Sequence, residues 1–176
     1  MHLHRGNLFL VGLPGAGKST LGRQLARRLG KTFLDADVEL ERKLGVSIPT
    51  IFEIEGEASF RDREEAMLAE IAARSNIVFA TGGGAVIRPA NREQLKGNGT
   101  VLYLHALPEM LHERTHRSRH RPLLNTGDLR ARLAELYAAR DALYRDVADM
   151  VVESDREQIA RLSRQLETAQ RDALQD

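Results

Sequence analysis

The sequence predicts an α/β fold built on an open parallel sheet, on three observations. Gly12-Leu13-Pro14-Gly15-Ala16-Gly17-Lys18-Ser19-Thr20 matches the phosphate-loop pattern G-x-x-x-x-G-K-[ST] without a gap. It lies between the apolar run Asn7-Leu8-Phe9-Leu10-Val11 and a segment in which Leu21, Leu25 and Leu29 recur at helical spacing before Gly30 stops it. Further short apolar runs then alternate with helical patterns, which is how strands covered on both faces by helices read.

Within the loop each residue type has a physical task. Gly12, Gly15 and Gly17 permit backbone that a β-carbon would forbid, so that successive N–H groups can surround a phosphate. The following helix adds the positive end of its dipole. Lys18 is placed to reach the β- and γ-phosphates, and the Ser19 hydroxyl to take one position on Mg²⁺.

After the first helix, Thr32-Phe33-Leu34-Asp35-Ala36-Asp37 reads as a second strand ending in two carboxylates. Strand alternation would point Asp35 and Asp37 the same way, at the sheet edge that carries the phosphate loop. Acids there could serve Mg²⁺ or accept a proton from an attacking hydroxyl, whereas Asp37 could instead simply cap a helix over Val38 to Leu44. Ser47-Ile48-Pro49 opens another helix that ends at Glu55-Gly56, and a longer one runs from about Glu57 to Ser75 with Phe60, Met67, Leu68 and Ile71 on its apolar face. Arg61 and Glu64 lie three apart on it and can pair, a contact usually found at the surface.

Ile77-Val78-Phe79-Ala80 is a third buried strand, and it runs into Thr81-Gly82-Gly83-Gly84-Ala85. Three consecutive glycines supply no packing and fit a place where backbone approaches a ligand; a plain turn is the other reading. Pro89 starts a short helix and Thr100 to Leu104 is a fourth strand. Pro108 begins a helix that dissolves into His112 to Leu124, where four arginines and three histidines meet one acid, the composition of a basic lid over polyphosphate or of a solvated charge run. Thr126-Gly127-Asp128 caps a long helix to about Ala148 with the stripe Leu129, Leu133, Leu136, Arg140, Leu143, Val147. An arginine on such a stripe needs an anionic partner. Met150-Val151-Val152 is a fifth strand, Arg156 falls in the turn after it, and an amphipathic helix with Ile159, Leu162 and Leu166 follows.

Composition narrows the function classes. The chain has 176 residues, enough for one domain with a sizeable core. A net charge of +1 provides no global field for nucleic acid or membrane, although 22 of the 26 cations are arginine. With no cysteine there is no disulfide framework, thiolate metal site or thiol nucleophile. No apolar run approaches the roughly 20 residues of a membrane span and Met1 to Gly6 lacks a signal-peptide core, so a cytoplasmic protein is expected.

Taken together, the phosphate loop, Asp35-Ala36-Asp37, Phe60-Arg61-x-x-Glu64, Gly82-Gly83-Gly84-Ala85-Val86, Arg121-Pro122-Leu123-Leu124 and Arg140-x-x-Leu143-Tyr144 resemble shikimate kinase, in order and spacing, over essentially the whole chain. Ala142 stands where that family commonly has proline, and the stretch between Arg114 and Arg121 is unusually rich in histidine. The resemblance implies a single P-loop kinase domain over 1–176 with three α/β/α layers, a five-stranded parallel sheet in 2-3-1-4-5 order, a substrate-binding insertion over 36–64 and a lid over 115–128. It implies phosphoryl transfer from MgATP to the 3-hydroxyl of shikimate, in the chorismate route to aromatic amino acids, by a monomer that binds neither nucleic acid nor membrane. Residue by residue it implies that Gly15, Ala16, Gly17, Lys18, Ser19 and Thr20 hold the phosphates, and that Ser19, with Asp35 through water, holds Mg²⁺. Asp37 would orient the hydroxyl and accept its proton, while Arg61, Arg140 and the backbone at Gly82, Gly83 and Gly84 grip shikimate. Arg121 would swing in with the lid, and Arg114 and Arg156 would contact the adenine side. Another small-molecule kinase, for gluconate or nucleoside monophosphates, and a non-catalytic nucleotide or RNA binder remain as other readings of the loop and the arginines.

Overall fold

The computed structural model describes residues 6–115 and 128–173. The elements run β1 (Asn7–Val11), α1 (Lys18–Leu29), β2 (Thr32–Asp35), α2 (Ala36–Leu44), α3 (Ile48–Ala72), β3 (Ile77–Ala80), α4 (Pro89–Asn98), β4 (Gly99–His105), α5 (Pro108–Thr115), α6 (Leu129–Val147), β5 (Met150–Glu153) and α7 (Arg156–Ala173). The strands form one parallel sheet in the order β2-β3-β1-β4-β5, as the resemblance implies.

Position in that order explains the strand compositions. β1 and β3 are buried at every residue and are nearly all apolar, because helices cover both faces and ladders flank both sides. The edge strands β2 and β5 are only partly buried and carry Thr32 and Glu153. Helix α1 lies so close to the sheet that a β-carbon on Gly22 would sit 2.5 Å from Phe33 Cε2.

Helix boundaries follow local chemistry. Ser47 caps α3 and accepts from Thr50 N, with Pro49 in the first turn. Gly56, at φ 81° and ψ 176°, breaks α3 into the two helices that the sequence predicts. Asp128 caps α6 by accepting from the N–H groups of Arg130 and Ala131. Helix α5 continues through Arg114, so His112 and Arg114 are helical rather than part of an irregular stretch. Arg156 is the first residue of α7 rather than a turn residue. The parallel sheet brings the ends of all five strands, Val11, Asp35, Ala80, His105 and Glu153, to one edge, where the candidate residues gather.

Candidate active site

At the end of β1 the chain enters the phosphate loop with Gly12 at φ 151°, packed so closely that a β-carbon there would lie 2.6 Å from the Leu104 carbonyl oxygen. Gly17, at φ 97°, is the N-cap of α1 and offers no capping side chain. No acid occupies the first turn of α1, so its amides and dipole are left to an anion. Lys18 is buried, and its ammonium donates to the carbonyl oxygens of Gly12 (2.5 Å) and Leu13 (3.0 Å). These two acceptors are neutral carbonyls, each a weaker partner for an ammonium than a phosphate oxygen.

The acid pair is built differently from the expectation. β2 ends at Asp35, which is the N-cap of α2: its Oδ1 accepts from the N–H groups of Asp37 (3.0 Å) and Val38 (3.2 Å). Asp37 belongs to the first turn of the helix, so strand alternation does not govern it, and the capping residue is Asp35 rather than Asp37. The other carboxylate oxygen of Asp35 accepts from the Ser19 hydroxyl, joining β2 to the start of α1. Two oxygen donors side by side at a phosphate loop fit a hard cation such as Mg²⁺, which takes few protein ligands and completes its shell with phosphate oxygens and water. Among the described residues no cluster of three or more His, Cys, Asp or Glu could hold a metal without such help.

Across the loop lies a buried charged cluster. Arg61, Glu64 and Arg140 are 6%, 3% and 5% exposed, so the Arg61–Glu64 pair is not the surface contact that its spacing alone suggests. Arg61 Nη1 donates to Glu64 Oε1 at 2.9 Å and Nη2 to Glu57 Oε1 at 3.4 Å. Burial pushes the Glu64 carboxyl above the usual carboxylate range, against the opposing pull of Arg61 and Arg140, and the negative Asp37 adds to the rise.

The triple glycine makes room for this cluster. A β-carbon on Gly82 would lie 2.8 Å from Glu64 Oε2, one on Gly83 2.8 Å from Pro14 Cδ and 3.5 Å from Arg140 Nη1, and one on Gly84 would overlap the Arg61 guanidinium. The glycines therefore let the backbone close over the site's own side chains, and Gly83 joins the cluster to Pro14 of the phosphate loop. Tyr144 donates its hydroxyl to the Gly83 carbonyl, and burial raises its pKa. The sequence analysis reads Glu64 only as a partner for Arg61 and names Tyr144 only within the Arg140-x-x-Leu143-Tyr144 motif, although Tyr144 lies one helical turn beyond Arg140.

Arg140 occupies the buried stripe of α6, which continues through Tyr144 and Val147 rather than through half-buried Leu143. Its Nη1 is buried and has no hydrogen-bond partner among the described residues. Such a donor costs free energy in the empty protein and is satisfied by an arriving anion. Arg140→Leu is accordingly expected to change unliganded stability by no more than about 1 to 2 kcal/mol, in the stabilising direction if at all. Denaturant unfolding with and without shikimate checks this: the acid should stabilise the wild type and leave the variant unmoved. A strongly destabilised variant would show that the attraction between Arg140 and Glu64 is structural first.

Arg114 leaves α5 to meet Ser154, with Nη1 2.5 Å from Ser154 Oγ and Nη2 2.5 Å from its carbonyl oxygen. Nη1 also reaches the Ala16 carbonyl at 3.3 Å, which places the guanidinium behind the phosphate loop. Arg156 is exposed at the start of α7. Arg121 and most of the expected lid lie outside the described residues. No pattern in the sequence singles out Ser154.

Comparison with known proteins bears on this arrangement. A family model described as shikimate kinase matches residues 14–170. A shikimate kinase of Thiobacillus denitrificans is 57% identical over 162 residues, covering 92% of this chain and 88% of that protein. One from Cupriavidus pinatubonensis is 57% identical over 163 residues, covering 93% and 85%. The solved structure of shikimate kinase from Acinetobacter baumannii in complex with shikimate superposes with a TM-score of 0.87 at 46% identity, covering 92% of this chain and 90% of that one. A match across nearly the full length, together with a phosphate loop abutting a buried arginine cluster, means that the chain belongs to the shikimate kinase family.

Proposed function

We propose that this chain transfers the γ-phosphoryl group of MgATP to the 3-hydroxyl of shikimate, giving shikimate 3-phosphate and ADP. The observation that carries the reading is the buried Arg140 Nη1, which has no hydrogen-bond partner among the described residues and lies at Gly83, the residue that packs on Pro14 of the phosphate loop. A carboxylate acceptor held there lies beside the phosphates, and positioning is most of what phosphoryl transfer asks of a protein.

In this reading Arg61 and Arg140 grip the carboxylate, and the backbone of Gly82 to Gly84 closes over the ring. Asp37, projecting from the first turn of α2 toward Glu64 and Gly82, orients the hydroxyl and takes its proton. The amides from Gly15 to Thr20 cradle the phosphates, while Lys18 turns from the loop carbonyls to the β- and γ-oxygens. Ser19 and Asp35 hold Mg²⁺, which when bound neutralises charge on the phosphates. Arg121, on a lid over 115–128, meets the transferring group on closure, and 36–64 forms the substrate-binding insertion. Arg114 and Arg156 serve the adenine side, and the enzyme works as a cytoplasmic monomer.

A coupled ADP-release assay across shikimate, gluconate and nucleoside monophosphates tests the assignment. Shikimate alone should support turnover. Release driven by gluconate or by a monophosphate, with shikimate inert, would overturn it.

A further inference from the structure

Ser154 follows β5 directly and is 1% exposed, a degree of burial that a serine tolerates only when its polar atoms are satisfied. Four hydrogen bonds converge on it. Its backbone N–H donates to the His105 carbonyl at the end of β4 (2.8 Å), and its hydroxyl donates to the Ala16 carbonyl of the phosphate loop (2.5 Å). Its Oγ and its carbonyl oxygen each accept from Arg114 at 2.5 Å.

The peptide between Ala16 and Gly17 is planar and has no cis geometry, so its C=O and N–H point in opposite directions. Holding the Ala16 oxygen toward Ser154 therefore turns the Gly17 N–H the other way, away from β5. Gly17 does not impose this orientation itself, because a glycine gives up a backbone direction cheaply. The clamp comes from outside the loop. The same residue fixes Arg114, whose planar fork spans the Ser154 hydroxyl and carbonyl and so has its orientation set as well as its position.

We infer that Ser154 is a positioning residue for the nucleotide: its one hydroxyl holds the Ala16–Gly17 peptide and the Arg114 guanidinium as a unit, setting the phosphate side and the base side of the site together. It acts through these groups rather than by touching the nucleotide. The inference rests on the nucleotide reading of the loop made above. Without the hydroxyl, Ala16 O keeps only the longer contact to Arg114, and Arg114 keeps one of its two acceptors on Ser154.

Calorimetric titration of wild type, Ser154→Ala and Ser154→Thr with ADP, and separately with shikimate, tests it. Ser154→Ala is expected to bind ADP about tenfold more weakly, with an equal rise in KM for ATP and a much smaller change in kcat. Its shikimate affinity should match that of the wild type, a split that a merely structural role would not produce. Ser154→Thr keeps the hydroxyl and should bind ADP within about threefold of wild type. In an Arg114→Met background the loss caused by Ser154→Ala should shrink, because one of the two linked groups is already gone. Unchanged ADP affinity in Ser154→Ala, a threonine variant as weak as alanine, or an alanine variant that no longer folds would each overturn the positioning role. Wild-type protein that bound no ADP would instead overturn the nucleotide reading, and the inference with it.

Discussion

Lys18→Met is expected to lower the rate of ADP formation by at least about a hundredfold, a loss of about 2.7 kcal/mol of transition-state stabilisation, while shikimate binding survives. Methionine matches the length of the lysine stem and removes the charge. In the unliganded protein Lys18 donates to the carbonyls of Gly12 and Leu13, so the variant also leaves two loop oxygens without that donor. Those contacts join neutral acceptors, whereas the developing charge on a transferring phosphoryl group is a far stronger partner for an ammonium. The expected damage is therefore much greater to turnover than to folding. Steady-state rates beside thermal unfolding and shikimate titration separate the two effects. A variant that keeps more than about a tenth of wild-type turnover contradicts the role, since that loss is only about 1.4 kcal/mol.

Asp37→Asn should abolish transfer as completely, by a different route. The amide preserves size and hydrogen-bonding capacity but cannot take a proton from the acceptor hydroxyl. Asp37 sits in the first turn of α2, where the helix dipole favours negative charge, and its charge is felt by buried Glu64. Removing it should relieve Glu64 rather than strain it, so the fold and the affinity for MgATP should both persist. Nucleotide titration beside the rate assay checks this. If MgATP affinity collapses along with turnover, Asp37 belongs with Ser19 and Asp35 on the metal side, and the proton acceptor must be sought elsewhere.

The error over the acid pair shows where sequence reasoning stops. Asp35-Ala36-Asp37 follows an apolar run, and period-two alternation is the natural extension of a strand. What ended the strand was a tertiary and a capping event together: Asp35 accepts from two amides of the next helix and from Ser19, sixteen residues earlier. Both acids still reach the site, but Asp35 reaches it from a cap and Asp37 from a helix. The triple glycine was legible as a place of close approach, yet the groups that come close are Glu64, Pro14 and the Arg61 guanidinium, from elements that only the fold brings together.

What the sequence by itself determined is everything that repeats or abuts along the chain. The phosphate loop is contiguous, the buried strands are apolar because parallel strands are covered on both faces, and Arg140 stands out because helical periodicity exposes any polar member of a core stripe. The tertiary structure alone decided which charges face each other. That Arg61 and Glu64 are buried, that Tyr144 meets Gly83, and that Ser154 joins the loop to Arg114 across 138 and 40 positions of sequence depend on the side-by-side packing of strands far apart in the chain. The physical reason is one of range. Propensity, capping and periodicity act over a few residues, whereas a hydrogen bond forms wherever packing brings a donor within reach of an acceptor, at any separation along the sequence.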